Sequence, residues 1–98
     1  MTVRFTLRAR DDLRAILGYL TAESPAAAER VRQAMVNTIR SIAERPHLGI
    51  RNAKAPELRS RLVGRYPYRI HDLVEAADLW IIHIRHSARR PFDVEAPD

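Results

Sequence analysis

Cysteine is absent from the 98-residue chain. That excludes disulfides and thiolate metal sites, and it is compatible with a reducing cytosol. Long apolar runs are also missing, and none approaches the roughly 20 residues a membrane-spanning helix needs. Arg4, Arg8, Arg10, Asp11 and Asp12 interrupt the stretch where a secretory leader would carry its apolar segment. The expectation is a soluble, cytoplasmic protein with no membrane partner. Repeats, linkers and low-complexity segments are lacking too. A chain this short forms one domain, residues 1–98, with a thin core.

Lysine is the next scarcity. Of 17 basic residues only Lys54 is not arginine. A guanidinium offers a planar fork that grips phosphate or carboxylate through two parallel bonds. The net charge of +5 is concentrated: from Arg51 to His71, six bases (Arg51, Lys54, Arg59, Arg61, Arg65, Arg69) face one acid, Glu57. Arg85, Arg89 and Arg90 add a second knot. Such a surface suits nucleic acid or an acidic protein segment.

The hydrophobic pattern changes period along the chain. Val3-Arg4-Phe5 alternates as a short strand does. Thr6 then caps a helix whose inward residues Leu13, Ile16, Leu17 and Leu20 recur at helical spacing, with Asp11 and Asp12 in its N-terminal half. Ser24-Pro25 starts a second helix running to about Glu44, with Ala28, Val31, Met35, Ile39 and Ile42 as its buried stripe and Pro46 beyond its end. A loop follows to Pro56. Leu58, Ser60 and Leu62 alternate with Arg59, Arg61 and Val63 in a strand with one basic face. Tyr68 and Ile70 alternate with Arg69 and His71 in the next strand. Leu79 to Ile84 is almost wholly apolar, as in a central strand covered on both sides.

These elements predict an α+β fold: an N-terminal strand, an α-helical hairpin, then a three-stranded antiparallel meander forming one small sheet, in the order β-α-α-β-β-β. The helices are expected on one face. Arg59, Arg61, Arg69 and His71 are expected on the other.

Several segments then resemble a known family. They are Asp12-Leu13, Tyr19-Leu20, Ser24-Pro25-Ala26-Ala27, Arg45-Pro46-His47-Leu48-Gly49, the stretch from Gly64 to Ile70 (GRYPYRI), and the stretch from His83 to Pro91 (HIRHSARRP). In order and spacing they are similar to the RelE/ParE toxins of type II toxin–antitoxin modules, from Val3 to about Pro91. The resemblance implies a growth-inhibiting toxin and a tightly bound antitoxin, together forming a toxin–antitoxin hetero-oligomer, as in plasmid stabilization systems. The YPYRI and HSAR stretches look closer to the ParE branch, whose members block DNA gyrase. RelE-like members instead cut messenger RNA on the ribosome.

The two activities ask different things of the side chains. RNA cleavage needs a base, an acid and positive charge on the phosphate. Arg61, Arg69, His86 and Arg89 would be its catalytic set, acting without metal. The tyrosine that RNA-cutting relatives carry after the final arginine is missing from Arg90 to Glu95. His83 and His86 are the remaining proton-transfer candidates, against the commoner structural role of strand histidines. Inhibition by binding needs only a shaped basic surface. The target-binding set is then Arg59, Arg61, Arg69, Arg85, His86 and Arg89. No cofactor is expected and no metal site, since His83 and His86 point to opposite faces of a regular strand. The expected partner surface is an acidic, amphipathic segment of the antitoxin. A degenerate member that binds only its antitoxin is the further alternative.

Overall fold

The computed structural model describes residues 1–87. A strand β1 (Thr2–Phe5) leads into helices α1 (Leu7–Glu23) and α2 (Pro25–Glu44). A short 3-10 turn (Pro46–Leu48), β2 (Ile50–Arg51), β3 (Leu58–Leu62), β4 (Tyr68–Glu75) and β5 (Asp78–His86) follow.

Both helices begin as the residue chemistry dictates. The Thr6 hydroxyl accepts from the Ala9 N–H (3.1 Å), and the Ser24 hydroxyl accepts from the Ala27 N–H (3.2 Å), with Pro25 filling a position that needs no donor. Leu13, Ile16, Leu17 and Leu20 of α1 pack against a core that contains Val31, Met35 and Ile42 of α2. The sheet supplies Ile70, Leu79, Ile81 and Ile84 to the same core. Burying each of these side chains contributes about 1.5–3 kcal/mol.

The sheet is larger and less uniform than the three-stranded meander plus a short first strand suggested. Its order is β1-β5-β4-β3-β2, with β1 parallel to β5 and the remaining pairs antiparallel. The middle position belongs to β4. The loop before Pro56 contributes the two-residue strand β2, whose approach to β3 needs Gly49: a Cβ there would lie 3.0 Å from the Ser60 carbonyl oxygen and 3.1 Å from the Arg59 Cβ. The β4–β5 hairpin turns through Ala76 and Ala77, and Ala76 takes φ 55°, a value that glycine adopts without penalty.

The apolar run in β5 reflects an irregularity rather than burial on two faces. His71 pairs with His83, but the next β4 residue, Asp72, pairs with Ile81, so Ile82 is an extra residue on β5. One inserted residue flips the alternation. Leu79 and Ile81 point to the core before it and Ile84 after it, while Trp80, His83 and Arg85 point away. Without the bulge, His83 would enter the core and Ile84 would leave it.

Past Phe5 the edge of β5 is covered by the start of α1. The Thr6 N–H donates to the Ile81 carbonyl, the Thr6 hydroxyl to the Ile82 carbonyl, and the Ile84 N–H to Asp12 Oδ2 (2.9 Å). Side-chain groups of α1 thus complete backbone bonding that a longer β1 would have supplied. Asp11 and Asp12 lie beyond the first turn of α1, which holds no acid. Asp12 therefore serves β5 instead of the helix dipole.

A candidate basic surface around two neutral histidines

Cross-strand register separates the arginines into two groups. Arg59 lies opposite Asp72, and Arg61 opposite Ile70, a fully buried core residue. Both arginines therefore sit on the side of the sheet that carries the helices. This corrects the expectation that they share a face with Arg69 and His71. Leu58, Ser60 and Leu62 occupy the far side instead, and Leu62 is exposed.

The reason is the C-terminal end of α2. The last carbonyls of a helix lack intrahelical donors and carry partial negative charge. No basic residue stands in the last turn of α2 to answer them. Arg61 does so from the sheet, donating from Nη2 to the Arg45 carbonyl (2.8 Å) and from Nη1 to Ser41 Oγ (3.1 Å). Arg59 Nη1 reaches the carbonyls of His47 (3.1 Å) and Gly49 (3.4 Å). These two guanidiniums brace the segment between α2 and β2.

A cavity of about 190 Å³ lies beside the brace, lined by His47, Pro56, Glu57, Arg59, Asp72 and Val74. Asp72 is 1% exposed, and its Oδ2 has no hydrogen-bond partner. Burial pushes its carboxyl up to about 6, against the opposing pull of Arg61 and Arg59.

The second group lies on the face turned away from the helices. Arg69 and Arg85 are direct cross-strand partners there, next to the pair His71 and His83. Arg69 Nη1 donates to Ser60 Oγ (2.9 Å), and Arg85 Nε donates to His71 Nε2 (3.3 Å). The two imidazoles stack, with centroids 5.7 Å apart and planes 16° from parallel. Burial, then the cost of charging the ring beside His83, Arg85, Arg69 and Arg8, holds His71 down at about 3. His83 is also lowered, chiefly by burial, despite its bond to Asp12. Burial and the neighbouring Arg69 lower Arg85 as well.

His86 does not join this group. It lies opposite Tyr68, whose ring packs against the core, and the two rings meet edge to face at 5.6 Å. Arg85 Nη1 instead meets the His86 backbone carbonyl (3.3 Å). Tyr66 and Tyr68 both pack on the core. Arg89 lies outside the described residues. Of the residues singled out from sequence, the structure therefore brings together Arg69, Arg85 and His71 on one face. It sets Arg59, Arg61 and His86 on the other.

Sequence reasoning missed two contributors, Arg8 and Asp12. The Arg8 Nη2 lies 3.1 Å from His83 Nε2, and Asp12 Oδ2 lies 2.7 Å from His83 Nδ1. Their signal was available only as a polar i, i+4 pair on a helix, which ordinarily marks a solvated face. Among the described residues, no group of three or more His, Asp or Glu side chains is placed to hold a metal ion. No described helix is long and apolar enough to cross a membrane.

The sequence model of the ParE toxin of type II toxin–antitoxin system, parDE, matches residues 3–91. The chain belongs to the ParE toxin family. Membership makes it a type II toxin and implies an antitoxin partner. Among solved structures, a chain of the chromosomal ParDE toxin–antitoxin system from P. aeruginosa is similar over 88% of this chain and 95% of that one. The TM-score is 0.73 at 24% identity, which establishes the shared fold. No functionally curated protein matches the chain.

Proposed function

We propose that this ParE-family toxin arrests bacterial growth by binding DNA gyrase, and that a cognate antitoxin neutralises it through an acidic, amphipathic segment. Family membership supports the toxin reading. The observation that favours binding over catalysis is the state of the histidines beside Arg69 and Arg85. His71, held at about 3, stays neutral at cytoplasmic pH and cannot serve as the acid of an RNA-cleaving pair. His86 lies on the other face, and Tyr66 and Tyr68 are committed to the core. What remains is a fixed positive surface, which recognises an anionic or acidic target without proton transfer.

Two assays on the purified chain separate the readings. Inhibited gyrase supercoiling with intact messenger in a programmed-ribosome reaction supports gyrase binding. Cut messenger with normal supercoiling reverses the assignment in favour of a metal-independent, RelE-like ribonuclease. Failure in both assays, with no growth arrest on expression, leaves a member that binds only its antitoxin.

A further inference from the structure

We propose that Asp12 and His83 are positioning residues that aim Arg8 of α1 at the Arg69–Arg85 pair, making Arg8 the third guanidinium of the basic surface. The surface then spans three elements, α1, β4 and β5, where the sequence pattern had indicated neighbouring strands alone. As a contact, Arg8 takes the place that Arg59 and Arg61 leave by bracing α2.

The hydrogen-bond chemistry fixes the protonation of the array. A guanidinium only donates, so the 3.1 Å contact from Arg8 Nη2 makes His83 Nε2 an acceptor. A carboxylate only accepts, so the 2.7 Å contact to Asp12 Oδ2 makes His83 Nδ1 the donor. His83 is therefore the neutral Nδ1–H tautomer, and Asp12 selects it. Asp12 is itself immobilised by the Ile84 backbone N–H, which donates to the same Oδ2 atom.

The same logic holds one strand away. Arg85 Nε donates to His71 Nε2, so His71 also presents an acceptor to an arginine. The two rings stack, and both are 5–8% exposed. Two neutral imidazoles thus seat two guanidiniums, with Arg69 beside them. The charged groups facing this pair are Arg8 and Asp12 from α1, Arg69 from β4 and Arg85 from β5. All three arginines lie close enough to act on the charge of His71. Protonating either ring would turn its acceptor into a donor facing a donor. The bulge at Ile82 is what makes this possible, since it turns His83 out of the core and toward His71.

The contact role of Arg8 rests on the toxin reading, whereas its positioning by His83 does not. The test uses the full chain as wild type, Arg8→Ala, His83→Phe, the double variant and Arg69→Ala, each checked by thermal melting. Side-chain nitrogen NMR comes first. Wild-type His83 is expected neutral at pH 6 with its proton on Nδ1; a charged ring, or a proton on Nε2, overturns the positioning claim whatever the target. Growth arrest at matched soluble expression comes second. Arg8→Ala is expected to weaken arrest at least tenfold, and His83→Phe to weaken it comparably, because the ring keeps its stack but loses its acceptor. The double variant should be no weaker than Arg8→Ala alone. Losses that multiply show that Arg8 does not act through His83, and wild-type potency in Arg8→Ala beside a loss in Arg69→Ala removes Arg8 from the surface. A wild-type chain that arrests nothing overturns the contact role together with the toxin reading, and the spectra still decide the positioning.

Discussion

Asp72 and Arg59 face each other directly across β4 and β3, yet the guanidinium bonds the carbonyls of His47 and Gly49 and leaves Asp72 Oδ2 without a hydrogen bond. The fold satisfies the end of its helical layer and strands a buried carboxylate to do so. A buried carboxylate with an unsatisfied oxygen is costly to ionise even with Arg61 and Arg59 nearby, which is why the carboxyl holds its proton up to about pH 6.

This predicts the behaviour of Asp72→Asn. An acid whose folded pKa is raised stabilises the fold while protonated, and that stability is lost as pH rises from the unfolded value of 3.8 through about 6. Removing the charge should therefore stabilise the protein by about 1–2 kcal/mol at pH 7.5, and by nothing measurable below pH 4. Urea midpoints at the two pH values measure it. Equal effects at both would mean that packing, and not ionisation, governs the site.

His71 titrates with the opposite sign. Its folded pKa is depressed, so its stabilisation is complete above the unfolded value of 6.5 and is lost as pH falls toward about 3. At pH 4.5 the loss is about 2–3 kcal/mol, larger than what Asp72 regains over the same range because the His71 loss begins at the unfolded value of 6.5 and the Asp72 gain only below about 6. The wild-type protein should accordingly melt at lower temperature at pH 4.5 than at pH 7. His71→Gln, which retains an acceptor for Arg85, should narrow that gap. A variant whose acid sensitivity matches wild type would exclude His71 as its source.

Much of this architecture was legible in the residues. The helices declared themselves because period, cap and proline agreed at Thr6, Ser24-Pro25 and Pro46, each a local signal. The alternation in β3 was equally plain, but alternation says only that two faces differ. Which one turns inward goes with the carbonyls of Arg45, His47 and Gly49, at and just past the end of α2, which accept from Arg61 and Arg59 and which no alternation in β3 announces. The β5 run misled for a related reason: Ile81, Ile82 and Ile84 read as burial on both sides, although one of them is the bulge residue. Arg8 and Asp12 were hidden because their partner, His83, is 71 or more residues away and faces them only after that bulge.

Thr6 carries two duties where Ser24 carries one. Both hydroxyls cap a helix, but the Thr6 hydroxyl also donates to the Ile82 carbonyl at 2.9 Å, at the bulge itself. Ser24→Ala should cost about 1 kcal/mol, the usual value of an N-cap. Thr6→Ala should cost about 1 kcal/mol more, because a partly buried carbonyl loses its donor as well. Thr6→Ser should recover most of the difference. Equal losses in the two alanine variants would show that the Ile82 bond contributes nothing.

The division of the arginines makes the sharpest functional prediction. Arg59→Ala and Arg61→Ala remove donors from the carbonyls around Arg45 to Gly49, so each should lower stability by about 1 kcal/mol, while the arrest caused by the remaining folded protein stays within about twofold of wild type. Arg69→Ala and Arg85→Ala remove charge from the outer face and should reduce the arrest caused by the folded protein tenfold or more, Arg85→Ala also losing about 1 kcal/mol of stability because the buried His71 Nε2 loses its donor. Melting curves and growth arrest at matched soluble levels read both effects on the same four proteins. Should Arg61→Ala abolish arrest while melting normally, the working surface would lie on the helix side of the sheet. The cluster around His71 and His83 would then be a structural feature with no part in toxicity.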